Sequence, residues 1–259
     1  MNFNLGDFVT RKSYKNDLVF KIINIDDNIV YLKGVDVRLL ADAPISDLIT
    51  YSNKNTDEFD VDIEEDNLER NDYFYLPGKI LHLDGDGEYL ERCLKFYKEK
   101  KVYAIGKKIK EENMPNQVIA LLNEFKPDIL VITGHDAYNK KSNDMYNIKN
   151  YKNSINFVKT VKAARKYEKS HEKLVIISGA CQSDYEELIK AGSNYASSPK
   201  RINIHALDPA IIATTVAVTE RNKEVNLINL LNKTKYGPDG MGGLIGNGLM
   251  YVGFPRSWI

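Results

Sequence analysis

Apolar and polar positions alternate in different ways along this chain, and the changes of pattern divide it. From Leu5 to about Ser52, short apolar runs are separated by turn residues: Asp7-Phe-Val-Thr-Arg11, Phe20-Lys-Ile-Ile-Asn-Ile25, Asn28-Ile-Val-Tyr-Leu-Lys33 and Val35-Asp-Val-Arg-Leu-Leu40. Short strands at such close spacing predict a small β-barrel over residues 1–52. Gly6-Asp7-Phe8-Val9 ahead of a basic stretch is the opening of an SH3-like or KOW-like module, and a plain structural cap on the next domain is the other reading. Asp57, Glu58, Asp60, Asp62, Glu64, Glu65, Asp66 and Glu69 then arrive with no compensating cation before Arg70. Such a run repels itself and resists packing, so residues 53–76 read as an exposed acidic linker. It either solubilises the chain or forms a strip over a site that prefers cationic substrates.

After Pro77-Gly78 the pattern becomes an alternation of strands and helices. Lys79-Ile-Leu-His-Leu-Asp84 reads as a strand, with Leu90, Cys93, Leu94 and Tyr97 at helical spacing behind it. Val102-Tyr-Ala-Ile105 is a second strand, and Val118, Leu121, Leu122 and Phe125 form a helical face closed by Pro127. Asp128 to Thr133 is the third strand, Ile148 to Tyr167 a helix, Leu174 to Ser178 the fourth strand, and Ile202-Asn-Ile204 begins a fifth. This βαβα order predicts an α/β domain over residues 77–259, with a mostly parallel sheet covered by helices on both faces. The glycine-rich stretch from Gly237 to Gly248 reads as loop and lacks the lysine and spacing of a phosphate loop.

Two of these strands end in reactive groups. Asp128-Ile-Leu-Val-Ile-Thr-Gly-His135 and Leu174-Val-Ile-Ile-Ser-Gly-Ala-Cys181 deliver an imidazole and a thiol about 46 residues apart. Both would lie at the carboxyl edge of a parallel sheet, where open α/β folds gather their catalytic groups. A thiol is a poor nucleophile at neutral pH unless a base or a thiolate-stabilising environment adjoins it. Of the four histidines, His82 sits inside a strand and reads as structural, and His171 lies among lysines and glutamates in a solvated connection. His135 and His205 remain as bases. The backbone amides of Cys181 and Asp136 are placed to hold a developing oxyanion. Taken alone, Cys181 reads as a small buried hydrophobe, the commoner fate of a cysteine after a strand, and Cys93 falls on an apolar helix face as core.

Composition narrows the classes. The chain has 259 residues, room for one α/β domain plus a small module, and its 36 basic residues balance its 36 acidic ones. With zero formal net charge there is no global field toward nucleic acid or membrane, and neither is expected as a partner. The sequence contains no membrane-spanning apolar run, and Met1-Asn-Phe-Asn-Leu-Gly-Asp-Phe8 lacks the regions of a signal peptide, so an intracellular protein is expected. Two cysteines make neither a disulfide framework nor an all-cysteine zinc site. Asp84-Gly-Asp-Gly-Glu88 lacks the full ligand series of a calcium loop. No metal or cofactor is expected.

Gly134-His135 and Ala180-Cys181 resemble the motifs of the caspase, clostripain and gingipain cysteine peptidases, where apolar strands end at the histidine and in Ala-Cys. The spacing fits the roughly 50 residues of caspases; Asp136 departs from the glycine that usually follows the histidine. Over its whole length, including the small N-terminal barrel and Gly179-Ala-Cys-Gln-Ser183, the chain resembles the YabG family of sporulation-specific cysteine peptidases of spore-forming Firmicutes. The resemblance implies a caspase-like fold and a cytoplasmic mother-cell thiol protease, associated with the forming coat. Its substrates would be spore coat and cortex-associated proteins, cleaved after arginine or lysine. A pocket for arginine requires a carboxylate. In arginine-specific relatives that acid lies about 50 residues before the histidine, which points to Asp86 first and Asp84 second; Asp86 is equally a helix cap. Arg70, basic and in an extended segment, is a candidate self-cleavage point.

Two other readings stay open. Gly179-Ala-Cys-Gln-Ser183 also approximates the nucleophile elbow of class I amidotransferases and the related intracellular proteases. There the histidine follows the cysteine, and His205, 24 residues on, would be the base; it equally caps a helix starting near Asp208-Pro209. A third reading is a non-enzymatic coat assembly module in which Cys181 is merely packed. Nothing in the sequence sets the oligomeric state.

Overall fold

The computed structural model describes residues 3–51, 72–139, 141–142 and 144–256. The chain divides into two compact units, Met1–Asp60 and Val61–Ile259. The acidic residues from Asp57 to Glu69, and Arg70, lie outside the described residues.

The first unit is an antiparallel sheet of five strands: β1 (Phe8–Arg11), β2 (Phe20–Asp26), β3 (Ile29–Gly34), β4 (Leu40–Pro44) and β5 (Leu48–Thr50), ordered β4-β3-β2-β1-β5. Alternate residues Val9, Phe20, Ile22, Val30, Leu32, Ala43 and Leu48 turn to one side and form its core, the period-two burial of a half-buried sheet. The expected strand at Val35–Leu40 is a turn instead. Gly34 N–H donates to Leu39 O at 2.7 Å, reversing the chain so that Leu40–Pro44 pairs with β3.

In the second unit, β6 (Phe74–Leu76) pairs with β13 (Tyr251–Gly253) as a small antiparallel ribbon. The main sheet contains β7 (Ile80–Asp84), β8 (Ala104–Lys108), β9 (Ile129–Thr133), β10 (Val175–Ser178), β11 (Tyr195–Ser197) and β12 (Met241–Gly243), ordered β12-β11-β10-β9-β7-β8. All neighbours are parallel except β12, which runs against β11. The sheet is therefore mixed but mostly parallel. The helices are α1 (Gly87–Glu99), α2 (Met114–Phe125), α3 (Ser154–Tyr167), α4 (Tyr185–Ala191), α5 (Asp208–Val218), α6 (Leu227–Asn232) and α7 (Gly237–Gly240).

Because β7, β9 and β10 are buried on both sides, successive residues serve two cores. Leu81, Leu83, Leu130, Ile132, Leu174 and Ile176 pack with Met114, Val118 and Leu122 of α2, Phe157 and Val161 of α3 and Leu188 of α4. The intervening residues face α1 and α5, which contact these strands and each other. α5 is buried nearly all round, from Asp208 through Ala217, as a central helix must be. None of the described helices is long and apolar enough to cross a membrane.

In this second unit four further expectations differ from what is found. β8 begins at Ala104 and runs on through Lys107 and Lys108, because as an edge strand its outer side tolerates charge. The helix expected from Ile148 starts as α3 only at Ser154, after a separate 3-10 turn at Ile148–Asn150. Its start is set by a distant carboxylate, Asp136, which accepts from Asn153 N–H at 2.7 Å. Ile202–Ile204 joins no strand; the fifth parallel strand is Tyr195–Ser197. Part of the glycine-rich segment expected as loop forms α7 and β12.

Candidate active site

The pairing of neighbouring strands decides which side chains meet. β9 and β10 pair in parallel with Ile132 opposite Ser178, so His135 and Cys181 each lie three residues beyond the last paired position. β7 and β9 pair with Asp84 opposite Thr133, so Asp86 and His135 stand at equal offsets past their strands. Adjacent strands are about 4.8 Å apart. Three neighbouring strand ends thus present a carboxylate, an imidazole and a thiol at one edge of the sheet.

His135 is the best-held of the three. Its Nε2 lies 3.1 Å from Asp86 Oδ2. The other oxygen of Asp86, Oδ1, accepts from Glu88 N–H at 2.9 Å and Tyr89 N–H at 3.2 Å and so caps α1. The capping role and the imidazole contact are carried by one side chain. The backbone of His135 is gripped from both directions: its N–H donates to Glu111 Oε1 and its carbonyl accepts from Asn153 Nδ2, each at 2.8 Å. The ring packs against Tyr89 with centroids 5.8 Å apart.

Cys181 is buried on a loop that bends sharply. Gly179 has φ +102° and Gln182 has φ +58°, left-handed values that glycine adopts freely and glutamine only under constraint. The constraint is visible: Gln182 N–H is directed at Ile202 O at 3.0 Å and Ser198 Oγ at 2.9 Å. Ile204 N–H donates to Cys181 Sγ at 3.3 Å. Residues 202–204, expected as a strand, therefore line the thiol loop.

The departure from the expected glycine, Asp136, joins the histidine and cysteine loops. Its carboxylate is 3% exposed and accepts from Ala137 N–H, Asn153 N–H, Ser154 Oγ and Ser183 Oγ. Ser183 Oγ in turn accepts from Ala180 N–H at 2.9 Å, and Ser154 Oγ from Asp184 N–H at 2.8 Å. Both hydroxyl protons are thereby aimed at Asp136. Burial pushes its carboxyl above the usual carboxylate range, against the pull of these donors. A second tie runs from Tyr138 N–H to Gln182 Oε1 at 3.3 Å.

Beyond the cysteine, Arg201 closes the loop. Its Nε donates to Tyr151 Oη at 2.6 Å and its Nη2 contacts Glu186 and, at 3.4 Å, Asp184. Asp184 accepts from Glu187 N–H at the start of α4, and desolvation holds its carboxyl above the ordinary value.

The remaining sequence candidates fall as follows. Asp84 is fully buried at the end of β7, where Oδ1 accepts from Asp86 N–H at 2.9 Å and Oδ2 lies 3.6 Å from His82 Nε2. His82 is buried with Nδ1 2.9 Å from Tyr97 Oη, a structural placement. His171 precedes β10, at the opposite edge of the sheet from Cys181. His205 is buried; its N–H donates to Asp208 Oδ2 at 2.8 Å and its Nδ1 accepts from Leu207 N–H at 3.2 Å. Cys93 lies on the buried face of α1, its Sγ 3.4 Å from Ala206 O. Among the described residues no cluster of three or more His, Cys, Asp or Glu side chains is arranged to hold a metal ion. Glu111, Ser154, Ser183 and Arg201 escaped the sequence reading. Glu111 alone left a signal, since it follows a strand at the same sheet edge.

The sporulation-specific protease YabG of Bacillus subtilis (strain 168) is 40% identical to this chain over an alignment of 288 residues that covers 98% of the chain and 99% of that relative. The family model described as YabG peptidase U57 matches residues 4–70 and 55–255. By family model and by full-length similarity, this chain belongs to the YabG peptidase U57 family.

Proposed function

We propose that this peptidase is a cysteine endopeptidase of sporulation, with Cys181 as nucleophile and His135 as its base. The observation that carries this reading is the shared offset of His135 and Cys181 past paired parallel strands, with Ile132 opposite Ser178. Cys181 attacks the scissile carbonyl, the amides of Cys181 and Asp136 hold the oxyanion, and His135 protonates the leaving amine and then activates water for deacylation. Among the described residues the Asp136 N–H has no hydrogen-bond partner, which suits that role. Asp86 orients the imidazole through Nε2, which leaves Nδ1 to serve the thiol.

Substrates in this reading are spore coat and cortex-associated proteins cut after arginine or lysine in the mother cell, and Arg70 is the self-cleavage point. Either Asp86 or Asp84, the two acids at the end of β7, supplies the carboxylate for the basic side chain; Asp86 also caps α1 and contacts His135, and Asp84 is fully buried against Asp86 N–H and His82. The five-stranded order β4-β3-β2-β1-β5 supports an SH3-like N-terminal module. A second reading uses His205 as base, favoured by the hydrogen bond from the preceding Ile204 N–H to the sulfur.

Cleavage of an arginine-containing coat protein by Cys181→Ala, His135→Ala and His205→Ala variants separates the two. Loss of about a thousandfold or more is expected with Cys181→Ala and His135→Ala. Loss with His205→Ala and retention with His135→Ala would assign the base to His205, and retention with Cys181→Ala would end the cysteine mechanism.

A further inference from the structure

We infer that Glu111 is a positioning residue for His135, and that Gly85 and Gly134 are small in order to admit its carboxylate. The inference rests on the proposed Cys181–His135 chemistry and extends it to a fourth strand end, that of β8. Glu111 opens the 3-10 turn that follows β8, at the same carboxyl edge as Asp86, His135 and Cys181. Its Oε1 accepts the backbone N–H of His135 at 2.8 Å. A Cβ added at either Gly85 or Gly134 would meet the Glu111 carboxylate inside van der Waals contact. The carboxyl group therefore fills the space over the adjoining ends of β7 and β9. Neither glycine has a positive φ; it is the space, not backbone freedom, that each supplies.

The consequence concerns the reach of the imidazole. His135 lies two residues beyond the end of β9, in backbone that no ladder holds. Glu111 fixes its N–H, Asn153 its carbonyl and Asp86 its ring. With the Glu111 contact removed, one of these three anchors is lost and the peptide before the histidine is less tightly held, and displacements of about 1 Å cost up to about a hundredfold in rate. The side chain touches the backbone of the base, not the reacting atoms, so its loss acts on kcat and leaves substrate binding alone.

The test uses the full chain and an arginyl peptide amide with a chromogenic leaving group. Glu111→Ala is expected to lower kcat about ten- to hundredfold with KM within about twofold, and Glu111→Gln, which keeps an oxygen acceptor, to stay within about threefold of the parent. Gly134→Ala should reproduce Glu111→Ala, because its methyl displaces the carboxylate, and the double variant should be no worse than either single one. Additive losses, an unchanged kcat in Glu111→Ala, or a rise in KM alone would overturn the assignment. Thermal melting of each variant identifies any loss that reflects unfolding, and in that event the Gln variant decides: activity of Glu111→Gln as poor as that of Glu111→Ala overturns it. Cys181→Ala, measured alongside, reports on the cysteine mechanism itself. Activity that survives it removes the underlying reading, whereas activity that needs Cys181 and ignores Glu111 overturns this inference only.

Discussion

Ser183 donates its hydroxyl to the buried carboxylate of Asp136 at 2.8 Å, across 47 residues of chain. The contact locks the loop that carries the thiol to the loop that carries the imidazole, so the relative placement of Cys181 and His135 depends on a side chain that performs no chemistry.

Asp136→Ala should therefore cost about 2–3 kcal/mol of stability at neutral pH, since it strands buried donors that had a charged acceptor. Its pH dependence has a definite sign. Because burial raises the folded carboxyl above 3.8, the native state keeps a proton in a range where the unfolded chain has released it. Stability from this group falls as pH rises through that interval. Urea unfolding at rising pH from about 4 upward should show the advantage of the parent over Asp136→Ala shrinking; a growing advantage would contradict the burial argument.

Asp86 performs two tasks that substitutions can separate. Serine at this position can still cap α1 but is too short to reach His135. Asp86→Ser should keep stability within about 1 kcal/mol of the parent while kcat falls about tenfold or more. Asp86→Ala should lose both. A rise in KM confined to arginyl substrates, with kcat intact, would instead place Asp86 in the substrate pocket.

Gly179 holds the bend before Cys181 at φ +102°, and a Cβ there would collide with Ser197 Oγ and lie 2.8 Å from Leu188 Cδ1. Gly179→Ala is expected to cost more than about 1 kcal/mol from the backbone conformation alone and to displace Ala180 and Cys181. Gly246, with open space around it, is the control: Gly246→Ala should stay within about 0.5 kcal/mol. Thermal unfolding of the two variants tests the contrast.

The strands that lead to His135 and Cys181 were legible because four consecutive apolar residues, followed by small ones, leave little choice but a strand buried on both faces. β9 and β10 accordingly fall within a residue of their expected bounds, as does β7 with His82 inside its apolar run. β11 was missed, since Tyr195–Ser197 is too short to show a period, and Ile202–Ile204 took its place because its alternation is that of a strand. What draws that segment out of the sheet is the need of the Cys181 sulfur and the Gln182 N–H for backbone partners.

By itself, then, the sequence determined an α/β peptidase unit behind a small β unit, and a histidine and a cysteine at strand ends. Hydrophobic period and turn chemistry are local, and they survive without knowledge of neighbours. Only the tertiary structure decided what each acid near the site does. A carboxylate's role depends on which donors converge on it, and Asp86, Glu111 and Asp136 take theirs from residues 49, 24 and as many as 47 positions away. Strand order and register bring those donors together, and no spacing in the chain announces them.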